Sequence, residues 1–312
     1  MTNLDTRAID EAAARLREGL LHAFPTETVY GLGADATNAD AVLSIYETKG
    51  RPRFNPLIVH CADLEMAERY GTFSLLARQL AETFWPGPLS LVVPLKPGHG
   101  LADIATAGLE TIALRVPDHP VALGLLRAAD RPLAAPSANP SGKLSPTTAE
   151  QVRRGFAGKV PVLDGGPCKA GVESTIIAVD GEIVIQLRAG ALARETIEEV
   201  IGRPVVQAEE GAAISAPGML LSHYAPNAHM RLDTTPRPGE AFLAFGQEQA
   251  FDGTMLNLSL SGDLHEAARN LFSMLHELDA TGAGMIAVAP IPETGLGEAI
   301  NDRLRRAAAP RS

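Results

Sequence analysis

The sequence predicts an α/β protein: a mixed sheet with helices, then a linker, then a small Rossmann-like α/β domain. Three observations carry this. Up to about Val206, helical patterns alternate with short runs rich in Val, Ile and Leu. The stretch "STIIAVDGEIVIQLR" sets Asp180-Gly181 between two apolar runs, a hairpin signal that requires some antiparallel pairing. A chain of 312 residues with 46% hydrophobic content holds enough apolar side chains for one substantial core and a second, since domains usually run to roughly 100–200 residues.

Taken in order, the helical patterns fall at 10–21, 39–48, 74–84, 121–129 and 147–156. Strand patterns fall at 57–61, 89–93, 111–116, 132–135, 175–179 and 183–187. "SPTTAE" supplies capping chemistry for the helix that begins near Thr147. From Gln207 to Pro226 the periodicity stops in "QAEEGAAISAPGMLLSHYAP", which reads as a linker. Beyond it, the strands "AFLAFG", "TMLNLSL" and "MIAVAPI" and the helices "DLHEAARNLFSMLHEL" and "GEAINDRLRRAA" make a compact unit. The expected division is 1–206, 207–226 and 227–312.

The net charge of −10 argues against an extended footprint on nucleic acid, which needs many Lys and Arg contacts to phosphates, so any anion site is local. No apolar run approaches the roughly 20 residues of a membrane span, and the charged, amphipathic first residues do not read as a secretory signal; a cytoplasmic protein is expected. Cys61 and Cys168 belong to no CxxC and read as idle buried thiols.

The cationic exception is "KGRPRF". Lys49, Arg51 and Arg53 follow a helical pattern, where cations complement the helix dipole, yet Gly50 and Pro52 turn the chain out of the helix. A mobile Lys charge beside Arg forks suits a triphosphate. "GLGADA" formally satisfies G-x-G-x-x-A, but the polar, Pro-led "PTETVY" before it is not the buried strand that fingerprint needs, so it reads as a turn where backbone approaches a ligand. No Walker loop occurs. Thr26, Glu27, Thr28 and Tyr30 suit either turn chemistry or a small polar ligand. Ser137 lacks the G-x-S-x-G setting of a nucleophile and, with Asn139, reads as a neutral hydrogen-bonding group. "GVESTII" and "RAG" sit at strand ends, where binding residues gather. His223 in "SHYAP" has no metal-ligand partner set and reads as neither metal ligand nor catalyst; Tyr224 is the better contact.

Together, "PTETVYGLG", "KGRPRFNPLIVH", "FWPGPLSLVV", "ALRVPDHP", "APSANPSG" and "GVESTII" resemble the threonylcarbamoyl-AMP synthase family, the YrdC-like enzymes; "SAPGMLLSHYAP" and the trailing domain resemble its long form. The resemblance implies a YrdC-like twisted open mixed sheet and a reaction in which L-threonine, bicarbonate and ATP give threonylcarbamoyl-AMP and pyrophosphate, for threonylcarbamoyladenosine in tRNA. It implies a catalytic grip of Lys49, Arg51, Ser137 and Asn139. On the ATP side it adds Asn55, Thr111, Ser145, Arg188 and Tyr224. For threonine it implies Thr28, His60, Arg115, Ser137 and Ser174, with Arg115 pairing the carboxylate. Mg²⁺ is expected to ride on phosphate oxygens without a named protein ligand. The expected partners are these small molecules and a downstream tRNA threonylcarbamoyl transferase complex, with no stable nucleic-acid binding and no membrane. The linker is expected to close over the cleft with Tyr224 reaching ATP. An RNA-binding module of the same fold is the alternative, while the Cys-rich hydrogenase-maturation relatives fit poorly.

Overall fold

The computed structural model describes residues 5–208, 223–247 and 251–310. The first part runs α1 (Thr6–Arg17), β1 (His22–Phe24), β2 (Gly31–Asp35), α2 (Ala39–Lys49), β3 (Ile58–His60), α3 (Leu64–Ala67), α4 (Leu75–Phe84), β4 (Leu89–Pro94), α5 (Asp103–Thr106), β5 (Thr111–Arg115), α6 (Pro120–Ala129), β6 (Leu133–Ala134), α7 (Ala149–Gly155), β7 (Thr175–Asp180), β8 (Ile183–Arg188), α8 (Arg194–Ile201) and β9 (Val206–Gln207). The nine strands form one mixed sheet in the order β1-β2-β6-β3-β5-β4-β7-β8-β9. Only β3/β5, β4/β7 and β8/β9 pair in parallel.

Local chemistry sets the boundaries. Ser74 Oγ accepts from Ala77 N to start α4, and Thr148 with Gln151 closes a capping box on α7. Gly50 ends α2 in the left-handed conformation, φ +62°, and so delivers Lys49 and Arg51 off the helix axis. The β7/β8 hairpin is present, with Gly181 and Glu182 as the loop pair and Asp180 paired to Ile183.

Two expectations are corrected. The first helix, expected at 10–21, lies four residues earlier, because Asp5 caps its start and the chain leaves the helix before Gly19 at φ +80°. "GLGAD" is a fully buried strand, β2, and not a turn. A Cβ on Gly33 would stand 2.8 Å from Cε1 of Phe24 in the partner strand β1, so glycine there serves strand packing.

The second part runs β10 (His229–Arg231), β11 (Ala241–Ala244), β12 (Met255–Asn257), α9 (Leu264–Ala280), β13 (Met285–Val288) and α10 (Leu296–Ala308). Its four strands are all parallel, in the order β10-β13-β11-β12, as the Rossmann-like expectation requires. Its core includes Leu271, Phe272, Leu275, Ile286, Val288 and Ile300, and it also takes in Val29, Leu144, Val172 and Tyr224. The two parts therefore share an apolar core. Gly171, at φ +77°, makes that approach possible: a Cβ would collide with the backbone of Ala268 and Arg269 in α9.

Candidate active site

Residues two apart on a strand share a face. Ile58 and His60 on β3 therefore stand beside Ala113 and Arg115 on β5, in the parallel register Ile58 to Ala113 and His60 to Arg115. Over them lies a cleft lined by Thr26, Thr28, Val29, Gly31, Arg51, Ala135, Pro136, Ser137, Glu173, Ser174, Arg188, His223 and Tyr224 as well.

At one wall, Arg115 Nη2 donates to Glu27 Oε1 at 2.6 Å and to Thr28 Oγ1 at 3.0 Å, while its Nε donates to the Gly87 carbonyl at 3.3 Å. Thr28 Oγ1 also lies 2.8 Å from Thr26 Oγ1, and Ser174 Oγ lies 2.8 Å from Ser90 Oγ. His60 packs edge-on to Phe24, and burial together with the Arg115 charge pushes its pKa down to about 3, so it is neutral.

Arg51 makes another part of the lining cationic, with Lys49 buried behind it. Lys49 Nζ donates to the carbonyls of Ser137 and Asn139, and neither Lys49 nor Arg51 forms a salt bridge with a described carboxylate. Arg51 donates from Nε to the Asn55 carbonyl at 3.2 Å and from Nη2 to the Pro56 carbonyl at 2.9 Å. Burial lowers the Lys49 pKa well below the ordinary lysine value, and the Arg51 charge adds to this. Burial also pushes Arg51 down to about 10. Arg188 donates to the Ser174 carbonyl at 2.8 Å and to Ser174 Oγ at 3.1 Å, tying the two parts of the lining together.

Four buried polar atoms around the cleft have no hydrogen bond to a described residue: Asn55 Oδ1, His60 Nδ1, Asn139 Oδ1 and His223 Nδ1. Of these residues His60 and His223 line the cleft, while Asn55 and Asn139 lie behind it. Glu173, also in the wall, is fully engaged: Oε1 accepts from Ser145 Oγ and Oε2 from Arg303 Nε.

The fold thus gathers Arg51, Ser137, Arg188, Tyr224, Thr28, His60, Arg115 and Ser174 at the cleft surface. Lys49, Asn55, Asn139 and Ser145 are buried behind it. Thr111 shares its face of β5 with Arg115 but sits at the far end of the strand, in register with Pro94, and does not line the cleft. Arg53 is exposed, so the cationic run divides between cleft and solvent.

His223, set aside in the sequence, lines the cleft; its ring centroid is 4.1 Å from that of Tyr224, and burial pushes its pKa down to about 3. The usable signal was its place beside Tyr224. Of the linker expected at 207–226, residues 209–222 lie outside the described residues.

The open mixed sheet with a small, polar and cationic cleft over its strands defines the class of the chain as an open α/β protein with a second, parallel-sheet domain. Residues 14–190 match a family described as "Telomere recombination", the Sua5, YciO and YrdC group, and residues 192–309 match "Threonylcarbamoyl-AMP synthase, C-terminal domain". The threonylcarbamoyl-AMP synthase of Pyrococcus abyssi is 43% identical over 95% of this chain and 92% of its own length, and that of Bacillus subtilis is 42% identical over 96% and 92%. The crystal structure of P. abyssi Sua5 complexed with L-threonine superposes with a TM-score of 0.90 at 40% identity, covering 97% of this chain and 95% of that one. The chain belongs to the threonylcarbamoyl-AMP synthase family, whose members are enzymes of the nucleotidyl-transferring kind.

Proposed function

We propose that this cleft condenses L-threonine, bicarbonate and ATP into threonylcarbamoyl-AMP, with Lys49, Arg51, Ser137 and Asn139 gripping the phosphates. The observation that carries the assignment of roles is the pair of buried cations, Lys49 and Arg51, without a carboxylate partner. A buried charge is costly unless an opposite charge meets it, and a polyphosphate is the anion the reaction supplies. Asn55, Ser145, Arg188 and Tyr224 complete the ATP side; Thr111, also expected there, stands off the cleft and belongs to this reading only where ATP extends past it. Thr28, His60, Arg115, Ser137 and Ser174 hold threonine. Arg115 Nη1 makes no hydrogen bond to a described residue, which leaves it for the amino-acid carboxylate.

The threonine amine and bicarbonate combine, with loss of water, into a carbamate. A carbamate oxygen then attacks the α-phosphorus, and the bond from that phosphorus to the bridging oxygen breaks with pyrophosphate as leaving group. Neutral His60 and the oriented Arg115 hold the amino acid while the cations hold the leaving group, so the chain positions and neutralises without a covalent nucleophile. The described residues contain no cluster of three or more metal-ligating side chains, and the cleft carboxylates Glu27 and Glu173 are both engaged by arginines. This reading therefore names no protein ligand for Mg²⁺ and has the ion ride on the phosphate oxygens of ATP.

The cavity amounts to about 50 Å³, below the roughly 300–1,000 Å³ of ordinary ligand pockets, so its walls must part for ATP. Tyr224, held at φ +63° with His223 at the cleft, is the wall that this reading moves. Pairing of β9 with β8 supports ending the first domain near 206, with 207–226 as linker and 227–312 as the second domain. The described residues include no helix long and apolar enough to cross a membrane; a cytoplasmic setting, delivery of the product to a tRNA threonylcarbamoyl transferase, and no stable RNA binding of its own complete the reading. Pyrophosphate release tests it: it should require threonine and bicarbonate together, and release undiminished by omitting either would overturn it.

A further inference from the structure

The cleft has to accept a polyanion, yet its wall contains Glu173, a buried carboxylate. Its compensation comes from the other domain. Arg303, on α10 and 1% exposed, donates from Nε to Glu173 Oε2 at 2.8 Å and from Nη2 to the carbonyl of Ala189, next to Arg188, at 2.9 Å. Its guanidinium carbon also stands 5.0 Å from the ring centroid of Tyr224, over the face of a side chain that lines the same cleft. Asp302 is a further acceptor for Arg303 and also pairs with Arg306 at 2.7 Å, which fixes the α10 side of the contact. One side chain thus touches the carboxylate, the backbone beside a cleft arginine, and the aromatic wall.

We propose that Arg303 is a positioning residue for the nucleotide: by neutralising Glu173 from the second domain, it makes the cleft wall compatible with triphosphate. This rests on the assignment of the Lys49 and Arg51 side to ATP. Without Arg303, a carboxylate lacking its main partner would face the incoming phosphates. Arg188 also lowers the Glu173 pKa through its charge, but less than Arg303 does, and it directs hydrogen bonds to Ser174; Ser145 Oγ carries no charge. The carboxylate's pKa is held below its ordinary value against a strong opposing effect of burial, with Arg303 first among the causes that lower it. The second domain thereby acts on the cleft through charge, beyond any role as anchor.

Steady-state kinetics of the full chain separate this from a purely structural contact. Arg303→Met should raise KM for ATP at least about tenfold while changing KM for threonine by less than about threefold. Adding Glu173→Gln to that variant should recover most of the loss, because the charge to be compensated has gone. An unchanged KM for ATP, or a defect that Glu173→Gln does not relieve, would overturn the proposal. If Arg303→Met does not fold, Arg303→Met combined with Glu173→Gln, which buries no unpaired carboxylate, tests the same point: its KM for ATP should stay within about threefold of the parent's, and a tenfold rise with intact thermal unfolding would overturn the proposal. If instead Lys49 and Arg51 variants keep normal ATP kinetics, the site assignment fails and the proposal about Arg303 falls with it.

Discussion

The cleft is served by two sets of buried cations, and they are compensated differently. Arg115 and Arg303 each meet a carboxylate from the chain itself: Arg115 with Glu27 on the amino-acid side, and Arg303, across the domain boundary, with Glu173 on the nucleotide side. At the Lys49 wall the cations meet carbonyl oxygens only. The carboxylate-paired cations are fixed in place without ligand, and Arg115 still keeps Nη1 for the amino acid; Lys49 and Arg51 have no anionic partner among the described residues, so their charge is left for ligand. Net burial of charge alone does not separate these roles, since all four side chains are buried. The identity of the partner does.

The largest expected effect tests the carboxylate-paired set. Arg115→Met leaves Glu27 buried without its cation, and breaking such a pair costs about 3–5 kcal/mol of folding stability. Denaturant unfolding measures it. A loss under about 1 kcal/mol would show that Glu27 finds other compensation, such as the Asp118 backbone N–H that already donates to its Oε2 at 3.0 Å.

The Lys49 wall should respond in the opposite sense. Lys49→Met gives up two hydrogen bonds to carbonyls but also removes the cost of a buried cation, so stability should change by less than about 1 kcal/mol or rise. Activity should fall at least about tenfold, because a charge contact to phosphate is worth roughly 1.5–3 kcal/mol. A destabilisation as large as that of Arg115→Met, measured in the same unfolding experiment, would make Lys49 a structural residue and erase the distinction between the two sets.

How much of this was legible in the sequence follows from the range of each interaction. Helix starts were readable because Ser74 and Thr148 cap within three residues of themselves. The β7/β8 hairpin was readable for the same local reason, offset by one residue at the turn. β2 was not, because its glycines mimic a loop and their cause, the Phe24 ring, is brought there by strand pairing. The cleft residues came from motifs. Their ranking did not: nothing near "KGRPRF" says that Arg51 turns inward and Arg53 outward, and nothing near "GVEST" says that Glu173 is answered by an arginine 130 positions later. His223 was set aside for want of a metal-ligand set, whereas its place in the wall depends on the left-handed turn at Tyr224.

The smallest expected effect sharpens the comparison at the Lys49 wall by its protons. In the free protein, burial holds the Lys49 pKa well below that of an exposed lysine. Phosphate oxygens alongside it favour the charged form and raise that pKa again. Between the lowered and the restored value, binding takes up a proton, so ATP affinity must fall as pH rises through that window, by at most about tenfold per pH unit. Arg51, at about 10, stays charged at neutral pH and contributes no such slope there. Calorimetry of ATP binding in two buffers of different ionisation enthalpy, with threonine left out so that its amine does not titrate, reads the uptake directly. Lys49→Arg should abolish it, since a guanidinium stays protonated where an ammonium does not. Uptake that persists unchanged in Lys49→Arg would move the titrating group away from this wall, to the histidines His60 and His223, whose burial holds both near 3.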